Sequence, residues 1–122
     1  MLANSLDLAR AAAAIALDGL AQDAVILAMG KVASFCDYFL ICQGRSPLHV
    51  EAIRDRLAEK LREAGWRPHH VEGGRKASWI VLDYGDVVMH IFDEPTRAFY
   101  NLEGLWADAD RVAVEPDATG AI

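Results

Sequence analysis

The stretch SWIVLDYGDVVMHIFDE, residues 78–94, constrains the fold more than any other part of the chain. It reads as two β-strands joined by a tight turn, and side chains along a strand point alternately to its two faces. Tyr84-Gly85 is taken as a two-residue turn, because Gly85 is free to adopt positive φ. Asp83 then pairs with Asp86, Leu82 with Val87, Val81 with Val88, Ile80 with Met89 and Trp79 with His90. Ile80, Leu82, Val87, Met89 and Ile91 share one apolar face, suited to a core. The opposite face carries Trp79, Val81, Asp83, Asp86, Val88, His90 and Phe92.

Three readings of this second face compete. A helix can cover it and leave Trp79 as a core aromatic. It can be a docking surface, since tryptophan is the residue most enriched in interface hot spots. It can be a catalytic floor, because two carboxylates and a histidine suit a divalent metal or acid–base work. The catalytic reading is the weakest of the three. Asp83 and Asp86 border the turn, where solvated acids are common, and His90 stands four residues along its strand from Asp86. That is roughly 13 Å at a strand's rise, too far for one metal ion to be reached from both.

The chain has 122 residues, enough to bury a core as one domain. It is 53% hydrophobic and 25% charged, as an ordered protein should be. The net charge of −6 disfavours sequence-independent attachment to nucleic acid, and a basic protein partner suits it better. No stretch is apolar for long enough to span a membrane. The run ARAAAAIALDGLA lacks a basic start and is flanked by Asp7 and Asp18, so it is not read as a signal peptide. Cys36 and Cys42 match no zinc or redox spacing and read as ordinary reduced cysteines of a cytoplasmic protein.

The pattern predicts a first helix over 5–21, capped by Asn4 or Ser5, with a stripe of Leu6, Ala9, Ala13, Ala16, Leu17 and Leu20. Strands follow at 24–29 and 36–43. A second helix starts at the N-cap Ser46 with Pro47 in its first turn and ends at Gly65. Its buried stripe is Val50, Ile53, Leu57 and Leu61. RPHHVEGG, 67–74, holds a short strand before the hairpin, and a last helix runs from Glu94 to about Ala107. The order α-β-β-α-β-β-β-α points to an α/β fold, a mixed β-sheet flanked by helices. One domain over 1–112 and a flexible C-terminal tail over 113–122 are expected, with fraying beyond Arg111.

CQGRS, a strand followed by Gly44-x-Ser46 at a helix start, can cradle a phosphate. Nucleotidyltransferases pair such a segment with a strand bearing two metal-holding carboxylates. Here the segment after the helix offers only Glu72, so phosphoryl transfer has no metal site. A nucleotide-binding enzyme using Gly44 and Ser46 is the alternative from another class. A dimeric scaffold that self-associates through the hairpin face is a third.

DYFLICQGRS, VEAIRDRL, WIVLDYGDVVMHIF and EPTRAFYNLEGLW fall in the order and spacing of the ribosomal silencing factor family (RsfS, also called Iojap). The resemblance runs from about Leu6 to Val112. It implies a non-enzymatic translation factor with a nucleotidyltransferase-like fold that lacks the catalytic carboxylates, without cofactor or metal. It implies binding to the large ribosomal subunit through its basic fourteenth protein, and steric blocking of small-subunit joining when nutrients are scarce. It also implies a homodimer when free of the ribosome. The chain departs from the family pattern at Ala28, where an Asp is common, and at Leu48-His49, where an Arg-Gln pair is common. The second departure suggests that the helix start is not a preserved polar site.

The resemblance and the hairpin together nominate the partner-binding residues. Trp79, His90 and Phe92 are the apolar anchors, and Asp83, Asp86 and Glu94 meet basic side chains. Arg97, Tyr100 and Trp106 on the last helix come second, Arg97 being equally suited to an ion pair with Asp93 or Glu94. Phe99, Leu102 and Leu105 are read as core. An acidic surface resists stray contacts with rRNA while it suits a basic ribosomal protein.

Overall fold

The computed structural model describes residues 4–115. Helix α1 (Ser5–Asp18) begins where Asn4, in extended backbone, accepts the Asp7 N–H on its side chain, which satisfies an otherwise orphaned donor. It stops short of the predicted end, because Leu20 takes a φ of 69° and stands exposed. The buried stripe is Leu8, Ala9, Ala12, Ala13 and Ala16, so Leu6, Leu17 and Leu20 fall outside it. Helix α2 (Pro47–Glu63) starts at Ser46, whose hydroxyl accepts the His49 N–H, and buries Val50, Ile53, Leu57 and Leu61 as the sequence implied.

The described residues hold six strands: β1 (Gln22–Ala28), β2 (Tyr38–Gly44), β3 (His70–Glu72), β4 (Trp79–Asp83), β5 (Val87–Asp93) and β6 (Asp110–Val112). They form one sheet in the order β3-β4-β5-β2-β1-β6. Only β2 and β5 run parallel; the other neighbours are antiparallel. The mixed sheet flanked by helices is therefore present. Strand β6 was not expected. It pairs with Ile26–Ala28 of β1 through its backbone, which no side-chain alternation announces. Past Arg111, Arg10 Nε–H donates to the Ala113 carbonyl at 3.1 Å, and Val114 packs on the core. The remainder of the tail, from 116, lies outside the described residues.

The hairpin register differs from the expected one by two residues. Trp79 lies opposite Phe92, Val81 opposite His90 and Asp83 opposite Val88. The Tyr84 N–H donates to the Val87 carbonyl at 2.9 Å, so Gly85-Asp86, not Tyr84-Gly85, is the central pair of the turn. Gly85 has φ of 85°, and two-residue hairpin turns want positive φ at the first central position. Moving the turn by one residue shifts the register by two, and the side-chain period is also two. The faces therefore survive. Ile80, Leu82, Val87, Met89 and Ile91 all lie in the core beneath α1 and α2.

A second core covers the centre of the other face. Leu27, Met29, Cys36, Phe39, Ile41, Val88, Phe92 and Leu102 form it, with Trp79, Val81 and Trp106 packed at its edge. The connection after β1 supplies part of its cover. Helices α3 (Glu94–Tyr100) and α4 (Leu102–Leu105) supply the rest, in place of the single helix expected over 94–107. Asn101, at φ 47° and ψ 60°, separates them.

Candidate docking surface

Strand position decides which hairpin residues reach the surface. β5 lies between β4 and β2, with a core on each face, whereas β4 has only the short β3 outside it. Of the three expected anchors, only Trp79 is therefore half exposed. Phe92 is fully buried and His90 is 7% exposed, which corrects their reading as direct contacts. Both instead hold Trp79. Its indole stacks on Phe92 with centroids 4.9 Å apart and lies 4.7 Å from the Tyr100 ring. Its Nε1–H donates to His90 Nδ1 at 3.2 Å. His90 in turn meets the edge of Phe39 at 4.6 Å. Burial pushes the imidazole down to a pKa of about 4, because the low-dielectric site disfavours the cation.

The turn acids serve a different place. Asp83 accepts the Gly85 N–H on Oδ1 at 2.7 Å, and the Asp86 carbonyl accepts from the backbones of Asp37 and Tyr38. They lie at the far end of β4 from Trp79, roughly 13 Å along a strand of that length. Glu94, exposed in the first turn of α3, is the acidic residue on the helix that also carries Tyr100. The structure thus joins Trp79, Tyr100 and α3 but leaves Asp83 and Asp86 apart from them. Cys36 and Cys42 are buried free thiols. Burial pushes Cys42 up to about 12, and burial with the charges of Asp37, Asp83 and Asp86 pushes Cys36 up to about 11.

Arg97 is buried rather than presented, and its partner is neither Asp93 nor Glu94. It forks onto Glu103 of α4, while Nη1–H donates to the Asp23 carbonyl at 2.8 Å and to Gln43 Oε1 at 3.2 Å. Asp93 is occupied as the N-cap of α3, accepting the Thr96 N–H. The Asp23 carbonyl reaches Arg97 because β1 bulges between Gln22 and Val25 and Asp23 takes a φ of 50°. An open groove of about 580 Å³ runs past Arg97, Gln43, Glu94 and Asn101.

Two of the most exposed apolar groups are ones that helical spacing assigned to the core. Phe99 is 80% and Leu105 70% exposed, whereas Leu102 is buried as expected. The break at Asn101 re-phases the two helices and turns Phe99 and Leu105 outward. A signal was available: Asn tolerates the left-handed region, and Asn101 with Gly104 three residues on fits a helix restart. Phe99 abuts Tyr100 with centroids 5.0 Å apart, which extends the aromatic run from Trp79. Trp106 is half buried against Phe39 and the exposed Phe35.

The Gly44-x-Ser46 segment is committed to packing. A Cβ on Gly44 would stand 2.9 Å from the Val50 nitrogen, and the Ser46 hydroxyl caps α2. His49, which stands where the family pattern commonly has Gln, is tied to the backbone at the helix start. Its Nδ1 accepts the Arg45 N–H, so Nε2 carries the proton and donates to the Gly19 carbonyl at 2.9 Å. Among the described residues no three His, Cys, Asp or Glu side chains are grouped to hold a cation, and no helix is long and apolar enough to cross a membrane.

Fold and surface together define a small α/β protein with a core on each sheet face and an aromatic run left open beside the hairpin. A family model for ribosomal silencing factor during starvation matches residues 2–121. The chain is 42% identical over 98 residues to the ribosomal silencing factor of Halalkalibacterium halodurans, covering 80% of this chain and 84% of that one. It is 40% identical over 106 residues to the ribosomal silencing factor of Bacillus subtilis, covering 87% and 90%. The crystal structure of a Chromobacterium violaceum protein matches it with a TM-score of 0.83 at 26% identity, over 95% of this chain and 97% of that one. The chain belongs to the ribosomal silencing factor family.

Proposed function

We propose that the chain silences translation by docking on the large ribosomal subunit, through its basic fourteenth protein, and sterically blocking the small subunit from joining when nutrients are limiting. The observation that carries this is the aromatic run from half-exposed Trp79 to exposed Tyr100 and Phe99, on the helix that also carries exposed Glu94. Exposed aromatics that pack on one another at a protein surface are the usual anchors of an interface, and an acidic neighbour suits a basic partner. Trp79 and Tyr100 are the direct contacts, with Glu94 meeting basic side chains. Phe92 and Arg97 act from beneath, Trp106 borders the contact, and Asp83 and Asp86 lie at its far rim.

The factor acts in the cytoplasm and without catalysis. A silencing factor needs only bulk at the joining surface, and the Ser46 hydroxyl is already used as a helix cap. Calorimetry with nucleoside triphosphates and magnesium tests this: saturable binding lost in Ser46→Ala would establish the nucleotide-binding alternative instead. The free chain is a homodimer, since an open aromatic surface suits a second copy as well as a ribosomal protein. Sedimentation of the free protein at the dimer mass is the expected result.

The deciding experiment compares wild type with Trp79→Ala in binding to isolated large subunits. The variant is expected to fold normally and to bind at least tenfold more weakly. Equal binding by a folded variant rejects the site. Light scattering on mixing subunits tests the blocking step, and normal joining with saturating factor bound rejects it.

A further inference from the structure

We propose that His90 is the positioning residue of the docking surface, fixing Trp79 for its partner by accepting the indole N–H on Nδ1. The inference rests on the docking reading above and assigns the buried histidine a part in it. Nδ1 lies 3.2 Å from the indole Nε1, so the neutral ring carries its proton on Nε2. That Nε2 is buried with no hydrogen-bond partner among the described residues. Phe39 and Phe92 pack around the ring, at 4.6 and 6.2 Å between centroids. An apolar side chain would fill this space without leaving a buried N–H unpaired, which is costly. What the imidazole supplies and a hydrocarbon cannot is an acceptor for Trp79. With its N–H satisfied from below and Phe92 stacked against it, the indole is held in one orientation before the partner arrives. Pre-ordering of this kind raises affinity by lowering the cost of binding.

The test measures large-subunit affinity, denaturation midpoint and the Trp79 indole N–H proton resonance for wild type, His90→Leu, His90→Asn and Trp79→Ala. The resonance is assigned by its loss in Trp79→Ala. Asparagine places Oδ1 where Nδ1 stands, so it keeps the acceptor but leaves a smaller side chain in the core. His90→Leu is expected to keep a midpoint near wild type, shift the indole resonance toward that of a water-exposed indole, and bind about tenfold more weakly. His90→Asn is expected to be less stable yet to bind within about threefold of wild type. Wild-type affinity in His90→Leu, or His90→Asn binding as weakly as His90→Leu, overturns the inference. If Trp79→Ala also binds like wild type, the docking reading falls with it. If Trp79→Ala is weak and His90→Leu is tight, only the positioning role falls.

Discussion

Arg97 and Glu103 form a two-pronged ion pair across the bend at Asn101, with Nε to Oε1 at 3.2 Å and Nη2 to Oε2 at 3.0 Å. One residue belongs to α3 and the other to α4, so the pair closes the angle between the two helices. The same guanidinium ties that angle to the sheet through Asp23 and Gln43. Both side chains are largely withdrawn from solvent, and removing one partner of such a pair strands the other. Arg97→Ala is therefore expected to cost about 3 kcal/mol, measured by urea unfolding at pH 7. Arg97→Lys keeps the charge but not the planar fork, and it should fall between the two.

Phe99 and Leu105 bury little in the free chain, so their replacement separates binding from folding. Phe99→Ser and Leu105→Ser are expected to leave stability within about 0.5 kcal/mol of wild type. Large-subunit binding should fall by about tenfold for Phe99, which adjoins Tyr100. Paired unfolding and binding measurements check both halves.

Alternation made the hairpin faces legible, because period two survives a misplaced turn. The register was not legible, since it hung on which of two adjacent pairs around Gly85 formed the turn centre. The α2 boundaries were legible because Ser46, Pro47 and Gly65 each carry a local backbone reason. Strand β6 was hidden because a three-residue edge strand is specified by the neighbour it pairs with. At the site, Trp79 could be picked out by residue type. The burial of Phe92, His90 and Arg97 could not, because it depends on β5 being central and on the α3–α4 bend. Gly73 shows the same limit. Its φ of 94° and the Trp79 carbonyl, 2.7 Å from where a Cβ would stand, make it indispensable to the turn into β4. Gly73→Ala is expected to destabilise by about 2 kcal/mol, read as a lowered thermal midpoint.

His90 makes stability depend on pH in a defined direction. Its folded pKa of about 4 lies below the ordinary 6.5, so the unfolded chain binds more protons between those values. The neutral ring's contribution is complete above pH 6.5. It declines as pH falls through that window to about 4, by roughly 3 kcal/mol in all. Urea unfolding at pH 7.5 and 4.5 should show a smaller loss for His90→Asn than for wild type, because the variant has no group to protonate there.

Asn101 provides a test of whether residues 94–105 are bent or continuous. It occupies the left-handed region, and its Oδ1 accepts the Gly104 N–H at 3.1 Å, so it ends α3 and caps α4 at once. Glycine at this position keeps the backbone conformation at no steric cost and loses only the side-chain cap, worth a few tenths of a kcal/mol. Alanine loses the cap and is also forced into the left-handed region, for a total of about 2 kcal/mol. The expected order of stability is Asn, then Gly, then Ala. In a continuous helix the order of the two variants reverses, because alanine is the best helix former and glycine among the worst. Thermal unfolding of Asn101→Gly and Asn101→Ala therefore distinguishes the two geometries by the sign of their difference. The same bend turns Phe99 and Leu105 outward, so the alanine variant should also bind large subunits more weakly than the glycine variant.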